Sequence, residues 1–161
     1  MAERLRVSGA SVIVIILAVV ATALAGGYFT AMNRDWYERL IYPAWKPPDA
    51  VIPIAWNIIF VLCAISAILV WNTRPRTART YWTIGLFLLN AVINVSWSVL
   101  FFGNRLIFAA AIDAGVLFLS VVSVMIAAWP ISRAASLLLI PYAGWVAFAT
   151  ALTWAIYRLN L

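Results

Sequence analysis

Residues 42–71 read YPAWKPPDAVIPIAWNIIFVLCAISAILVW, a proline-rich stretch that leads into a long uncharged apolar run. Pro47 and Pro48 each fix φ and remove a backbone donor, so their stretch suits neither a helix interior nor a central strand. It is predicted to be a stiff extended loop. The run from about residue 53 to residue 71 is long enough to cross a bilayer as a helix, for which about 20 apolar residues suffice. A stiff loop at a membrane surface is a candidate lid.

The composition places the rest of the chain in a membrane as well. Hydrophobic residues make up 66% and charged residues 10%, whereas a soluble domain carries about 25% charged residues. Apolar runs of spanning length lie at about residues 10–32, 53–71, 80–102, 106–129 and 134–157, and short connectors hold nearly all the charge. The predicted fold class is an all-α integral membrane protein, a five-transmembrane-helix bundle. It forms one domain over residues 1–161 with a lid loop at 33–52.

The first run has a second interpretation. Arg4 and Arg6 precede it and the stretch ALA at 23–25 resembles a signal-peptide cleavage site. The run is longer than the apolar part of a signal peptide, so it is predicted to be the first span. Because Lys and Arg divide almost evenly between the two ends of the bundle, the charge pattern only slightly favours an inside N-terminus.

Missing residue types restrict the chemistry. The chain has no histidine and a single cysteine, Cys63, inside the second run. This excludes His-ligated haem, the usual catalytic zinc sites and an intrachain disulfide. We expect no metal site, no required cofactor and no nucleic-acid partner. An enzyme built from this chain would depend on aromatic residues, on its ligand or on light.

Polar groups inside the spans are costly in hydrocarbon and indicate the bundle interior. Asn90, Asn94 and Trp97 share one helix face. They predict either interhelical hydrogen bonds or the polar wall of a cavity. Asp113 is the acid well inside a span, and we expect a structural hydrogen bond, to Asn90 or Asn94 for example, rather than proton transport. Pro141 is expected to kink the fifth span.

Four motifs occur in the same order as in a known family of membrane proteins. Trp45-Lys46-Pro47-Pro48, Pro53-Ile54-Ala55-Trp56, Asn94 with Trp97 before Phe101-Phe102-Gly103, and Leu139-Ile140-Pro141-Tyr142 with Trp145 resemble the TspO/MBR family, that of the translocator protein or peripheral-type benzodiazepine receptor. The resemblance implies a five-helix bundle, usually a homodimer, with a pocket closed by the loop after the first helix. It implies ligands such as protoporphyrin IX or related tetrapyrroles, isoquinoline carboxamides and, in animals, cholesterol.

The family pattern also implies the residues of the ligand site. By that pattern the lid and mouth map onto Tyr37, Pro47 and Ile52, and the pocket walls come from the second, third and fifth helices. The wall residues are Trp56, Phe60, Asn94, Trp97, Trp145, Ala149 and Leu152. The face of the fifth span that carries Trp145, Ala149 and Leu152 is also evident from their spacing alone.

The sequence departs from the family pattern in two places. Trp154 and Ala155 stand where the sterol-recognition pattern of animal members has tyrosines, so membrane lipid stays a partner but cholesterol gains no support. Thr153 replaces an asparagine that many members carry, which removes an amide from the expected pocket floor.

Three functions remain open at this point. The first is a binding and sensing protein, in which a flat macrocycle stacks between tryptophans while Asn94 or a lid group meets its carboxylates. The second is an enzyme that degrades porphyrin in light, as some bacterial relatives do, with Trp56 and Trp145 as redox partners. The third is a porphyrin or lipid transporter. Small-residue stripes, one on the first span and one on the fourth, serve either a homodimer or internal packing.

Overall fold

The computed structural model describes residues 9–161, and Arg4 and Arg6 lie outside the described part. The helices are α1 (Gly9–Met32), α2 (Arg34–Glu38), α3 (Val51–Asn72), α4 (Ala78–Ser98), α5 (Ile107–Ala128), α6 (Arg133–Leu137) and α7 (Ile140–Leu159). Within residues 9–161, five helical spans are long and apolar enough to cross a membrane. The predicted fold class, a five-span all-α membrane protein, is confirmed.

The five spans pack into one bundle. α1 packs on α3 and α4, α5 packs on α4 and α7, and α3 also touches α4, α6 and α7. The end of the bundle away from the lid loop is packed solid: Val70, Val121, Val124 and Leu139 are almost fully buried there. Buried hydroxyls fasten this end, since Ser66 Oγ donates to the Ala135 carbonyl at 2.7 Å.

Two spans are less regular than the sequence predicted. The third does not stay α-helical to residue 102, because α4 passes into a π-helical turn, Val99–Gly103, before the chain leaves the helix. The fifth is divided into α6 and α7 by a turn at residues 138–139, directly before Ile140 and Pro141. Pro141 has no N–H to donate to the preceding turn, and it lies in the first turn of α7. The kink predicted at Pro141 is thus present as a break between α6 and α7.

The lid loop is also more structured than predicted. Arg34–Glu38 forms a short helix that the sequence analysis did not predict, while residues 41–43 and 46–48 are extended or irregular. Ile52, predicted to be in the lid, lies in the first turn of α3. Pro53 is compatible with that turn because the first N–H groups of a helix have no intrahelical partner in any case. Val51 N–H instead donates to the Pro48 carbonyl at 2.9 Å.

Candidate functional site

A cavity of about 530 Å³ lies under the lid loop, between α1, α3, α4, α5 and α7. Its volume falls in the range typical of small-molecule sites, about 300–1,000 Å³. Nine of the ten predicted site residues line this cavity. They are Tyr37, Ile52, Trp56, Phe60, Asn94, Trp97, Trp145, Ala149 and Leu152. Pro47 is not among the lining residues. The structure thus brings the predicted wall together and leaves Pro47 in the loop above it.

Aromatic pairs build the walls. Trp97 stacks on Phe101 with ring centroids 5.0 Å apart and planes 13° apart, so one face of that indole is already covered. Trp56 pairs with Phe60 at 5.7 Å, and Trp145 pairs with Phe148 at 5.5 Å. These contacts orient the indoles in the wall, and a wall of aromatic rings suits flat apolar ligands.

The predicted interhelical hydrogen bonds and the predicted polar wall both occur. Asn94 lines the cavity and its Nδ2 donates to Tyr142 Oη at 3.2 Å. Tyr142 Oη donates to Asn90 Oδ1 at 3.0 Å, behind the cavity floor. Asp113 does not pair with either amide, because Ser96 Oγ of the adjoining helix α4 donates to its Oδ1 at 3.1 Å. Asp113 thus makes a structural hydrogen bond, as expected, but its partner is the hydroxyl of Ser96 and not an asparagine amide.

The wall from α1 consists of small residues that the sequence analysis did not assign to the site. Ala23, Gly26, Gly27, Thr30 and Ala31 line the cavity. None of the residues of α1 is buried, so this wall is a helix at the periphery of the bundle. A Cβ at Gly26 would lie 3.3 Å from Ser98 Oγ, so glycine allows α1 to approach α4 closely. The spacing of small residues was visible in the sequence, but it did not show which side of α1 faces inward.

Charged groups surround the mouth. Arg34, Glu38 and Asp49 line the cavity at the lid end. Arg34 Nε donates to Glu38 at 3.0 Å, with both side chains largely exposed. An exposed pair four residues apart on a helix contributes only about 0.5 kcal/mol or less. Arg34 can therefore exchange Glu38 for another anion at small cost.

Tyr37 of α2 packs against Tyr42 and Lys46 of the lid loop and so holds the loop against α2. The Lys46 ammonium binds Asp49 and lies 4.4 Å from the ring centre of Tyr42 and 5.4 Å from that of Tyr37. Tyr42 Oη donates to the Tyr37 carbonyl. Burial, and next the neighbouring Tyr37, raise the pKa of Tyr42 above its ordinary value. Burial would lower the pKa of Lys46, but its bonds to Asp49 and Tyr37 outweigh that effect and raise it.

Two asparagines fasten the two ends of the lid. Asn33 Nδ2 donates to the Phe102 carbonyl at 2.7 Å, and Arg105 Nη2 donates to Asn33 Oδ1 at 2.6 Å, which ties the α1–α2 junction to the π turn. At the other fastening point, Asn160 Oδ1 accepts from Ile41 N–H at 3.0 Å and Asn160 Nδ2 donates to the Ile41 carbonyl at 2.9 Å. Nothing in the sequence indicated these contacts, since they join residues far apart in the chain.

The chain is similar to a family of known membrane proteins over most of its length. The family model described as TspO/MBR family matches residues 13–158. The tryptophan-rich protein TspO of Chlorobaculum tepidum is 35% identical over 87% of this chain and 89% of its own length. The translocator protein of Homo sapiens is 29% identical over 78% of this chain and 75% of its own. The tryptophan-rich sensory protein of Cereibacter sphaeroides is 29% identical, over 78% and 77%.

Proposed function

This chain belongs to the TspO/MBR family, and from that premise we propose that it binds and senses tetrapyrroles of the protoporphyrin IX type. The proposal extends to other flat hydrophobic ligands such as isoquinoline carboxamides. The general function, that of a membrane protein of sensory or binding type, is supported by two relatives. They are named as a tryptophan-rich sensory protein and a translocator protein.

The observation that carries the proposal is the aromatic cavity with a charged mouth. Its body is lined mainly by indole, phenyl and aliphatic groups with a few neutral amides and hydroxyls, and its charges are confined to the lid end. A ligand that matches this division has a flat apolar body and polar substituents at one edge. A porphyrin with its two propionates at one edge has this form, and it gains most of its affinity from buried area and stacking.

The carboxylates are proposed to lie at the mouth rather than on Asn94. One N–H of the Asn94 amide is used on Tyr142 Oη, and a neutral amide offers a carboxylate a weaker hydrogen bond than a guanidinium does. Arg34 lies at the mouth and is held only by an exposed ion pair. A lid group rather than the floor amide is therefore the expected carboxylate partner, which selects one of the two possibilities that the sequence left open.

The test is a titration of the purified protein with protoporphyrin IX, followed by quenching of tryptophan fluorescence in the dark. Trp56→Phe and Trp145→Phe are titrated in parallel. Trp145 Nε1 is buried without a hydrogen-bond partner among residues 9–161, so a change to Phe breaks no such bond and largely preserves packing. We expect saturable binding that both variants largely keep. Absence of saturable binding would overturn the proposal.

Illumination separates a binding protein from an enzyme. A binding and sensing protein leaves the porphyrin absorbance bands unchanged in light. Bleaching to a new product that requires the indole of Trp56 or Trp145 would instead indicate light-dependent degradation. The same samples answer both questions, because the bound state is established in the dark first.

We also propose a homodimer, as the resemblance implied. The two small-residue stripes give it no particular support, since Gly26 of the stripe Ala18, Thr22 and Gly26 approaches Ser98. Ala111 of the stripe Ala111 and Gly115 is fully buried within the same chain. Cross-linking in lipid nanodiscs at increasing lipid-to-protein ratios would test it. A cross-linked fraction that falls in proportion to dilution would contradict a stable dimer.

A further inference from the structure

The end of the bundle away from the lid is strongly basic. Within residues 9–161 its charged side chains are those of Arg74, Arg76, Arg79 and Arg133. The acids of the same range lie toward the lid end, as Asp35, Glu38, Asp49 and, in the half of α5 that begins there, Asp113. The arginines of the packed end therefore have no carboxylate partner among residues 9–161.

Arg76 is oriented by the end of α3. Its guanidinium carbon lies 3.8 Å from the ring centre of Trp71, and its Nε donates to the Trp71 carbonyl at 2.9 Å. These contacts use one face of the guanidinium and one of its five N–H groups. Neither Nη group has an acceptor among residues 9–161. An oriented guanidinium with both Nη groups available is suited to the paired oxygens of a phosphate.

Arg74 is separated from Arg76 only by Pro75 and has fewer contacts. It is half-buried, and none of residues 9–161 accepts a hydrogen bond from its side chain or forms an ion pair with it. Its Nε and the Nε1 of Trp71 are buried N–H groups without an acceptor in that range. Buried donors are normally hydrogen-bonded, so this loop offers more donors than the described chain satisfies.

Aromatic side chains indicate that this loop lies at the level of the lipid headgroups. Trp82, near the start of α4, is 75% exposed, and the neighbouring Tyr81 is exposed as well. Trp71 packs against Tyr81 with ring centroids 5.9 Å apart. Tryptophan and tyrosine concentrate where a membrane meets water. Since Arg74 and Arg76 follow Trp71 closely in the chain, their guanidinium groups lie within reach of lipid phosphates.

We propose that Arg74 and Arg76, beside Trp71, bind the phosphate of an anionic phospholipid at the end of the bundle away from the lid. The uncompensated positive charge of this end favours such lipids over zwitterionic ones. Soluble anions carry the same phosphate chemistry, but the exposed aromatic residues give acyl chains an apolar surface next to the arginines. The site does not depend on the proposed function, because none of its three residues lines the cavity.

Native mass spectrometry of the purified protein in non-ionic detergent measures the binding of the first lipid. Phosphatidylglycerol and phosphatidylcholine with the same acyl chains are titrated separately. A basic residue close to the headgroup contributes roughly a five-fold preference for an anionic lipid, so two arginines predict that phosphatidylglycerol binds about 25-fold more tightly. Arg74→Gln and Arg76→Gln should each lower that preference about five-fold.

Two further variants distinguish a site from general attraction between charges. Arg76→Lys keeps the charge but loses the planar group that stacks on Trp71 and bonds to its carbonyl, so it should lower the preference about as much as Arg76→Gln. Arg79→Gln removes an equal charge from an exposed side chain with no hydrogen bond or ion pair to residues 9–161, and should leave the preference nearly unchanged. If Arg76→Gln fails to fold, Arg76→Lys and Arg74→Gln still decide.

Three results would overturn the proposal. Equal binding of the two lipids would show that the arginines select no headgroup. Equal losses in Arg76→Gln and Arg79→Gln, or full preference in Arg76→Lys, would show that diffuse charge suffices. Glycerol 3-phosphate carries the phosphate without acyl chains, and its binding as tightly as phosphatidylglycerol would assign the site to a soluble anion. Binding of protoporphyrin IX should be unchanged in every variant, so this test and that of the proposed function fail separately.

Discussion

Removal of the side-chain amide of Asn160 is expected to speed both entry and exit of ligand. That amide makes a reciprocal pair of hydrogen bonds with the backbone of Ile41, at 3.0 and 2.9 Å, and so joins the lid loop to the end of α7. Asn160 is not among the residues that line the cavity, so its side chain does not contact a ligand there. The pair therefore acts on the lid and not on the ligand.

The magnitude follows from the two bonds. Each is partly exposed to solvent and is expected to contribute about 0.5–1 kcal/mol net, so their loss favours the open lid by about 1–2 kcal/mol. This corresponds to roughly a 5- to 30-fold increase in the open-to-closed ratio. When opening precedes both entry and exit, the two rate constants rise by the same factor and Kd stays nearly constant.

Stopped-flow fluorescence with Asn160→Ala measures both rate constants. Asn104→Ala is the matched control, since Asn104 is exposed and its side chain bonds to none of residues 9–161. A rise in the dissociation rate alone, with Kd rising in proportion, would mean that Asn160 stabilises the bound state instead of the lid. Unchanged rate constants would refute the role of this contact in gating.

Three further changes have defined expectations. Ser66→Ala leaves the buried Ala135 carbonyl without its 2.7 Å donor and should lower the free energy of unfolding by about 1–2 kcal/mol, measured by thermal unfolding in detergent. The pKa of Tyr42 is raised, first by burial, so lid closure should be constant below about pH 10 and weaken above it as the phenol ionises, with faster ligand dissociation. Arg34→Gln should weaken binding of protoporphyrin IX several-fold and leave its dimethyl ester unaffected.

Each of these expectations has a control. Ser123→Ala removes an exposed hydroxyl that bonds within its own helix, and should change stability little. Tyr42→Phe should abolish the rise in dissociation above pH 10, and a rise that persists would assign it to another group. Arg39→Gln changes a nearby exposed charge that does not line the cavity, so an equal loss of porphyrin affinity there would indicate a general charge effect.

The five spans were predictable because hydrophobicity alone decides them. A run such as residues 53–71 has no soluble alternative, and its length matches the bilayer. Helix ends were less predictable: α3 begins at Val51, before Pro53, since a proline in the first turn loses no bond. The π turn at Val99–Gly103 was not predicted, because Val99 to Phe102 continue the apolar run without a local signal for a change of helix type.

Most of the site was predictable from the family pattern, and two of its helix faces were predictable from spacing as well. Trp56, Trp145 and, at the mouth, Tyr37 and Ile52 could be placed because that pattern carried them. Arg34 could not, since it lies on a short helix that no periodicity revealed. The face shared by Asn90 and Asn94 was visible in the spacing. The spacing could not show that one lines the cavity and the other lies behind it, because the partner Tyr142 comes from another helix.

The unequal packing of the two ends indicates where a bound ligand is sensed. The end away from the lid is fixed by buried residues and by the bonds of Ser66 and Ser136 to backbone carbonyls, at 2.7 and 2.8 Å. The lid end contains the cavity, and its loop is held at its two ends by the side chains of Asn33 and Asn160. Ligand binding should therefore slow amide hydrogen exchange at residues 34–50 and leave residues 128–139 unchanged. Protection confined to residues 128–139 would mean that the signal crosses the membrane through the packed end.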